Sequence, residues 1–277
     1  MIKAKKYFGQ NFLCDKNIIV KITQAIPKDA KNIVEIGPGL GDLTQELLSI
    51  PQVKVRAYEI DKDLIPILNK KFQNEIEGGI FELIHQDANV AFKNGNLSEK
   101  EYFLIANLPY YIATNLILKA LEDEKCLGLV VMVQKEVAQK FCATFKESNF
   151  SALSVLCELI CKKALLFEIK PESFNPPPKV TSAVIKLEKI ANYKQKIQDL
   201  ESFKIFLRDC FQNPRKQLIS NLKDKKDKLL KIFKELDIIP SSRAHEISVD
   251  LYLKIFYYLK DNYERRKQNS RTKNKKI

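Results

Sequence analysis

The stretch Asn32–Gly41, which reads NIVEIGPGLG, decides the fold of this chain. A short apolar run leads directly into a glycine-rich turn, and the residues from Asp42 onward have the pattern of a helix start. Glycine allows the backbone to approach a ligand closely, and Pro38 stiffens the loop. The spacing Gly-x-Gly-x-Gly differs from the Gly-x-Gly-x-x-Gly of dinucleotide-binding folds. The stretch therefore predicts a strand, a ligand-binding turn and a helix.

Acidic side chains stand at the ends of the next two apolar runs. Glu59 lies in the predicted strand 54–60, 22 positions after Gly37, where Rossmann-type folds place an acid that binds ribose hydroxyls. The alternative for Glu59 is a solvated charge at a strand end. Asp87 ends the predicted strand 81–87 and is suited to accept a hydrogen bond from an adenine amino group. The alternative for Asp87 is a helix N-cap.

A fourth apolar run, 102–106, leads into Asn107-Leu108-Pro109-Tyr110. These four residues present a side-chain amide oxygen, a backbone carbonyl and a flat ring, which suit a planar aromatic amine. The exocyclic nitrogen of adenine is a poor nucleophile because its lone pair is delocalised. Two acceptors on its N–H groups would favour a pyramidal, more nucleophilic nitrogen. The alternative is a strand end followed by a proline turn.

The order of these segments predicts a doubly wound α/β sheet. Strand and helix patterns alternate through about residue 190, which is typical of parallel strands joined by helices. Ligands of such sheets bind beyond the carboxyl ends of the strands, where the four candidate side chains would converge. Further strands are predicted at 128–133, 165–169 and 182–187. From about Tyr193 the pattern becomes helical and rich in lysine.

Together these residues resemble the S-adenosylmethionine-dependent rRNA adenine N6-dimethyltransferases. The resemblance extends from about residue 3 to about residue 260, and it is strongest for the small-subunit type, which dimethylates two adjacent adenines near the 3′ end of 16S rRNA. The segments that carry it are Lys6–Leu13, Glu35–Gly39, Glu59, Gln86–Ala88, Asn107–Tyr110, Ser173–Val184 and Arg243–Ser248.

The resemblance implies a Rossmann-like class I methyltransferase with a mostly parallel seven-stranded sheet, followed by a small helical C-terminal domain. We expect residues 1–190 to form the S-adenosylmethionine-dependent methyltransferase domain. We expect 191–277 to form a helical domain that binds RNA or the ribosome and ends in a basic, disordered tail. A role in subunit biogenesis is also implied.

The resemblance assigns a cofactor-binding role to six residues. Asn11 and Leu13 would close over the methionine end of S-adenosylmethionine, and the backbone of Gly37 would line the same pocket. Glu59 would bind the ribose hydroxyls and Asp87 the adenine amine of the cofactor. Asn107 would lie near the sulfonium and also accept from the target amine.

The expected catalytic residues are Asn107, Leu108, Tyr110 and Phe174. Tyr110 is the candidate for stacking on a flipped target adenine, and Phe174 would cover the other face of that base. The alternative for Phe174 is a core anchor in front of a proline-stiffened turn. No general base is required, because the sulfonium is a strong electrophile and the methylated nitrogen can lose its proton to water. Orientation and electrostatic stabilisation would then supply the catalysis.

The charge balance favours a polyanionic partner. The chain of 277 residues carries a formal net charge of +13, of which the last 14 residues supply +6 (seven Lys/Arg, one Glu). The alternatives are simple solubility and a solvated lysine face. The candidate phosphate contacts are Lys3, Lys5, Lys6, Arg215, Lys216, Lys223, Lys225, Lys226 and Lys228.

Other features narrow the class of protein. The sequence has no run of 18 apolar residues and no signal-peptide pattern, so a cytoplasmic protein without a membrane span is expected. Six cysteines form no Cys-x-x-Cys pair and only two histidines are present, so we expect reduced thiols and no metal site. The expected partner is 16S rRNA within the small subunit, and the expected oligomeric state is a monomer.

Three other functions are compatible with parts of the pattern. A large-subunit rRNA adenine dimethyltransferase of the antibiotic-resistance type shares the fold, the cofactor and Asn107–Tyr110. The segments 176–180 and 243–248 favour the small-subunit type. A DNA adenine methyltransferase more often carries Asp-Pro-Pro-Tyr. A mainly non-catalytic ribosome-assembly factor is the alternative from a different class.

Overall fold

The computed structural model describes residues 4–274, apart from the side chains of Lys6 and 265–274. The strands, in chain order, are β1 Phe12–Leu13, β2 Asn32–Ile36, β3 Lys54–Glu59, β4 Phe81–His85, β5 Tyr102–Asn107, β6 Cys126–Gln134, β7 Cys161–Ile169, β8 Phe174–Asn175 and β9 Ser182–Lys189. The α-helices are α1 Lys16–Gln24, α2 Asp42–Leu48, α3 Ile65–Lys71, α4 Gln73–Glu77, α5 Ala88–Asn94, α6 Ala113–Glu122, α7 Lys135–Cys142, α8 Ala152–Ile160, α9 Tyr193–Lys196, α10 Leu200–Cys210, α11 Leu218–Asn221, α12 Lys226–Glu235 and α13 Val249–Asn274.

Seven of the strands form one sheet in the order β4-β3-β2-β5-β6-β9-β7. The pairs β3–β4, β2–β3, β2–β5 and β5–β6 are parallel, and β9 runs antiparallel to β6. The predicted fold class is confirmed. The strand order reverses between β2 and β5, so the carboxyl ends of β2 and β5 border the crevice where open α/β sheets bind ligands.

The strands predicted from the apolar runs are present, with shifted ends. The strand predicted at 128–133 is β6, and those predicted at 165–169 and 182–187 are β7 and β9, each longer than expected. Strand β4 ends at His85 instead of Asp87, because the Asp87 carboxylate accepts from the Asn89 N–H and begins α5 as its N-cap. The cap competes with the strand for this residue.

Burial explains why the middle of the sheet is formed by β2 and β5. Ile33, Val34, Leu104 and Ile105 are fully buried, as expected for parallel strands covered by helices on both faces. The first helix, α1, begins at the N-cap Asp15, whose carboxylate accepts from the N–H groups of two first-turn residues. Local caps and buried strands thus agree with the sheet order.

The chain divides into two compact units, Met1–Ala138 with Lys162–Lys189, and Gln139–Cys161 with Ile190–Ile277. The last switch between the two units falls between residues 189 and 190. The roles of 1–190 as methyltransferase domain and of 191–277 as RNA-binding domain stay predictions. Residues 139–161 differ from the sequence-based assignment, because they pack within the second unit. The Phe150 ring, for example, lies 6.3 Å from that of Phe211. The apolar sequence of α8 predicts a helix, but it does not predict in which unit the helix packs.

Aromatic side chains form the core of the second unit. The Phe203 and Phe256 rings lie 5.1 Å apart in an edge-to-face arrangement, and the Phe206 and Tyr263 rings lie 5.4 Å apart. Helices α10 and α13 supply these four residues. The lysine-rich segment therefore has its own apolar core and is not only a solvated surface.

The C-terminal segment differs from the disordered tail that the sequence predicts. Helix α13 continues to Asn274, because 264–274 contain strong helix formers and neither glycine nor proline. Residues 275–277 of the predicted tail, and Lys3 among the candidate phosphate contacts, lie outside the described residues. Within 4–274, no helix is both long enough and apolar enough to cross a membrane.

Candidate functional site

The carboxyl ends of the strands β2, β3, β4 and β5 border a cavity of about 970 Å³, including the space at its open mouth. Open α/β sheets bind their ligands in a crevice at this edge of the sheet. The lining of the cavity includes seven of the predicted cofactor-binding and catalytic residues, together with the rest of the N-terminal segment 8–12. The predicted residues on the lining are Asn11, Gly37, Glu59, Asp87, Asn107, Leu108 and Tyr110.

The glycine-rich turn after β2 leaves room for a ligand. Gly37 has a φ of +71°, a conformation that side-chain-bearing residues rarely adopt, and a Cβ atom placed on it would meet nothing within 4 Å. Gly39 is different, because a Cβ atom there would lie 3.0 Å from the Phe12 ring. The turn thus exposes its backbone to the cavity at Gly37 and packs tightly at Gly39.

Glu59 lies at the end of β3 with only 3% of its surface exposed. Its Oε1 atom accepts from the Asp61 N–H at 2.8 Å, and its Oε2 atom accepts from the Gly39 N–H at 3.3 Å. Burial raises the pKa of this carboxyl group, and the backbone donors of Asp61 and Gly39 oppose the increase. Each carboxylate oxygen has a second lone pair, so Glu59 retains acceptor capacity toward the cavity.

Asp87 is the N-cap of α5 and also lies on the lining of the cavity. Its Oδ1 atom accepts from the Asn89 N–H at 2.7 Å. The cap holds the carboxylate in place. Its other oxygen therefore remains the acceptor that Asp87 can present to a ligand.

Asn107 ends β5 and is fixed by the N-terminal segment. Its Nδ2 atom donates to the main-chain oxygen of Asn11 at 2.9 Å. A carbonyl oxygen can only accept, so the amide nitrogen must lie on this side. Oδ1 is then the atom that Asn107 offers to a bound group.

The next residues continue the same surface. The Leu108 side chain is buried and its N–H donates to the Met132 carbonyl at 3.2 Å, which anchors the turn to β6. The Tyr110 hydroxyl lies 2.6 Å from the Ser182 hydroxyl, which fixes the direction of the ring. Burial raises the pKa of the Tyr110 phenol, so it stays neutral near pH 7.

Phe174 and Leu13 are not on the lining of the main cavity. They are Cα partners in the antiparallel pair β1–β8, and Phe174 is 4% exposed within the hydrophobic core. The core-anchor alternative thus describes where the Phe174 ring lies. A stacking role for Phe174 stays a prediction that requires its ring to leave this position. Leu13 borders a smaller neighbouring cavity beside Gly37 and Asn107.

A network that the sequence did not reveal attaches the N-terminal segment to the end of β3. Lys5 donates to Asp61 at 2.5 Å and to Asp63 at 2.6 Å, and Gln10 donates to Asp61 at 2.9 Å. Burial acts to raise the pKa of Asp61, but the hydrogen bonds from Lys5 and Gln10 hold it below its usual range. Lys5, a candidate phosphate contact, is therefore paired within the protein. Partners more than 50 positions apart leave no local pattern.

A model of the ribosomal RNA adenine dimethylase family matches residues 1–261 of this chain. The chain belongs to this family. It is 60% identical to Ribosomal RNA small subunit methyltransferase A of Campylobacter jejuni (strain RM1221), over 97% of this chain and 100% of that protein. The dimethylase is accordingly an enzyme that methylates adenine in ribosomal RNA.

Solved structures support the same family and fold. A dimethyladenosine transferase from Plasmodium falciparum has a TM-score of 0.76 and 28% sequence identity, covering 90% of this chain and 98% of that one. The 23S rRNA methyltransferase ErmE has a TM-score of 0.69 and 22% identity, covering 90% of this chain and 100% of that one. The second likeness shows the fold alone.

One further acid of the dimethylase, Glu35 in β2, belongs to the glycine-rich motif but has no role predicted from the sequence. It is 1% exposed, and the Thr44 hydroxyl donates to its Oε2 atom at 2.7 Å. Burial raises the pKa of Glu35 to about 8. Glu35 borders the smaller cavity beside Gly37, so a charge that depends on pH lies next to the glycine-rich turn.

We expect this buried acid to make the stability of the dimethylase depend on pH. The pKa of a glutamate in the unfolded chain is about 4.3. Between pH values of about 4.3 and about 8, Glu35 therefore keeps its proton in the native protein but loses it in the unfolded chain. The contribution of Glu35 is fully present below the unfolded pKa and is lost as the pH rises through the native pKa. The free energy of unfolding should fall by up to ~1.4 kcal/mol per pH unit in this window.

The Glu35→Gln variant lacks this titration. Urea unfolding of the cofactor-free protein at about pH 5, 6, 7 and 8 should show the variant becoming more stable relative to wild type as the pH rises. Glu99→Gln, at an exposed glutamate of the same unit, is the matched control and should stay parallel to wild type. A difference between Glu35→Gln and wild type that is constant with pH would contradict the assignment.

Proposed function

We propose that this dimethylase transfers methyl groups from S-adenosylmethionine to the N6 amines of two adjacent adenines near the 3′ end of 16S rRNA, within the small ribosomal subunit. It would act in the cytoplasm, as a monomer, during subunit biogenesis. The observation that carries the proposal is Asn107, whose Oδ1 atom is left as an acceptor at the edge of the cavity by the hydrogen bond from Nδ2 to Asn11.

The residues around the cavity fit S-adenosylmethionine. Glu59 would hold the ribose hydroxyls, because its buried carboxylate has acceptor capacity beyond the two backbone N–H groups. Asp87 would accept from the adenine amine. The backbone at Gly37 and Asn11 would border the methionine end, where the unfilled space beside Gly37 admits a close ligand. When bound, the cofactor supplies an electrophilic methyl group on a positively charged sulfur.

The target adenine would be held by Asn107, the last residue of β5, and by Leu108 and Tyr110, which follow it. Asn107 Oδ1 and the main-chain carbonyl of Leu108 would accept the two N6 hydrogens, which favours a pyramidal nitrogen with an available lone pair. The Tyr110 ring, fixed through Ser182, would stack on the base at a gain of about 1–3 kcal/mol. Positioning of this kind lowers the barrier without a protein base, and the proton of the methylated nitrogen passes to water.

The second unit offers a basic surface for the rRNA. Its side chains Arg215, Lys216, Lys223, Lys226 and Lys228 are exposed. Lys225 differs, because its ammonium lies 4.8 Å from the centre of the Tyr263 ring and is half-buried. Exposed Arg and Lys side chains of this kind are suited to bind phosphate groups. Such contacts make the affinity for RNA depend on the salt concentration.

The direct test is transfer of tritiated methyl groups from S-adenosylmethionine to small subunits that lack the modification. We expect incorporation that approaches four methyl groups per small subunit, with reverse-transcription stops at two adjacent adenines near the 3′ end of 16S rRNA. The small-subunit name of the Campylobacter relative supports this choice of substrate. Incorporation into large subunits instead would transfer the assignment to the antibiotic-resistance type.

Replacement of Glu59 should weaken the binding of S-adenosylmethionine. Glu59→Ala removes the proposed acceptor for the ribose hydroxyls, and a hydrogen bond to a charged group is worth at least ~1.5 kcal/mol. Calorimetry should therefore show S-adenosylmethionine bound at least about tenfold more weakly. The exposed Glu99→Ala is the control and should bind as wild type does. Unchanged affinity in Glu59→Ala would remove this residue from the cofactor site.

Replacement of Asn107 should abolish methyl transfer but should leave the affinity for S-adenosylmethionine nearly unchanged. Asn107→Ala deletes the acceptor for the target amine, while S-adenosylmethionine affinity should stay within about tenfold of wild type, or ~1.4 kcal/mol. Asn96→Ala, at an exposed position of the same unit, serves as the control in the same transfer assay. Near-normal turnover of Asn107→Ala would exclude the proposed catalytic role.

The basic surface can be tested by its dependence on salt. Arg215→Ala combined with Lys216→Ala should lower affinity for the small subunit and reduce the slope of log affinity against log salt by roughly 0.7–0.9 for each phosphate that the enzyme no longer binds. Cofactor affinity should not change. A matched removal of two exposed charges from the first unit, Lys93→Ala with Lys100→Ala, is the control. If both double variants keep the wild-type slope, Arg215 and Lys216 bind no phosphate.

A further inference from the structure

Two tyrosines have unusually exposed rings for side chains of their size. Tyr7 is 86% exposed and Tyr111 is 66% exposed, the highest values among the described aromatic side chains. Single exposed apolar residues are common at protein surfaces, but neighbouring large ones often mark a binding surface. Whether Tyr7 and Tyr111 form a binding surface therefore depends on where they lie relative to the cavity.

Tyr111 lies on the lining of the cavity, and Tyr7 directly precedes the lining residue Phe8. Tyr111 directly follows Tyr110. Its ring covers the backbone of Gly9, where an added Cβ atom would lie 3.3 Å from Tyr111 Cε1. The Tyr7 ring packs edge-on against Phe8, another lining residue, with ring centres 5.2 Å apart.

The two tyrosines belong to one stretch of the surface, because Tyr111 contacts Gly9, which lies two positions after Tyr7. Burial is the largest cause of the raised pKa of Tyr111, and the Asp87 carboxylate and the Tyr7 phenol add to it. Tyr111 and Tyr7 are thus the exposed continuation of the surface that contains Asn107 and Tyr110. Neither hydroxyl has a protein partner in the described residues that would explain its position as structural.

We propose that Tyr111, with Tyr7 beside it, forms a stacking surface for the nucleotide next to the target adenine. The inference rests on the proposed function, because it takes the base at Asn107 to be an adenine drawn out of the rRNA. An extruded base leaves its neighbour with one unstacked face, and an aromatic side chain is a sequence-tolerant replacement for the missing stack. The surface therefore recognises a single-stranded purine or pyrimidine base by its flat face.

The cofactor is the less suitable occupant of this surface. Its adenine, if held by Asp87, would lie among the apolar lining residues Ile60, Ala88, Ile112 and Leu116, which already provide a pocket. Tyr7 and Tyr111 are instead largely exposed to solvent. A stacking interaction carries no charge, so its removal should leave the salt dependence of binding unchanged, whereas removal of a cation that binds phosphate would reduce it.

The test compares variants in methyl transfer to unmodified small subunits. Tyr111→Ala should raise KM for the subunit about fivefold or more, as expected when one stacking interaction is removed, and Tyr7→Ala should raise it less. Tyr111→Phe keeps the ring and should restore KM to within about twofold of wild type. S-adenosylmethionine affinity by calorimetry, the melting temperature and the slope of log KM against log salt should all match wild type.

Ile80→Ala is the control, because Ile80 is an exposed apolar residue that borders the opposite, amino-terminal edge of the strands. Its KM should not change. The proposal is overturned if Tyr111→Ala has a wild-type KM, if Tyr111→Phe loses as much as Tyr111→Ala, or if the loss appears in cofactor affinity. Absence of transfer by the wild-type enzyme would instead refute the proposed function, so the two failures are distinguishable.

Discussion

The hydrogen bond from Asn107 Nδ2 to the Asn11 carbonyl is the interaction on which the site depends. It joins the end of a central strand to the N-terminal segment, 96 positions away. A side-chain amide has one accepting and one donating end, and the Asn11 carbonyl takes up the donating end. The accepting end is thereby left for a bound group. The orientation of the proposed catalytic amide is here determined by a backbone atom of a segment that belongs to no large strand or helix.

That segment is itself held by ionic and polar contacts. The Asp61 carboxylate accepts from Lys5 and Gln10. The Asp61 N–H donates to the side chain of Glu59, the last residue of β3. The same short loop therefore fixes the candidate ribose acceptor and the segment that would border the methionine end of the cofactor. Removal of Lys5 would leave the Asp61 carboxylate buried without its cation, which costs more than the loss of an exposed ion pair.

Carboxyl groups surround the proposed position of the cofactor. Glu35 and Glu59 lie close enough for the charge of Glu59 to contribute to the raised pKa of Glu35. Burial is the larger cause in both residues. We expect a cationic ligand to bind favourably in such a place, because its charge offsets the repulsion between the acids and their loss of hydration. The product of methyl transfer has lost the sulfonium charge, so this contribution should be smaller for the product.

The fold and much of the site were predictable from the sequence because their signals are local. An apolar run followed by Glu59, Asp87 or Asn107 gives both a strand and the side chain at its end, and parallel strands bring these ends together. The contacts that the sequence does not reveal join distant positions. Phe174 pairs with β1 across more than 150 positions, and Asp61 has its partners in the N-terminal segment. The helix 152–160 packs within the second unit for the same reason, since periodicity predicts a helix but not its neighbours.

A crystal structure with S-adenosylhomocysteine and adenosine would test the central claim, that Asn107 presents its amide oxygen to the target amine. The account predicts that Asn107 Nδ2 stays on the Asn11 carbonyl, and that Oδ1 lies within hydrogen-bonding distance of the adenosine N6 atom, about 2.7–3.2 Å. An adenosine whose N6 lies beyond that distance from Oδ1, or an Asn107 side chain turned away from Asn11, would contradict it.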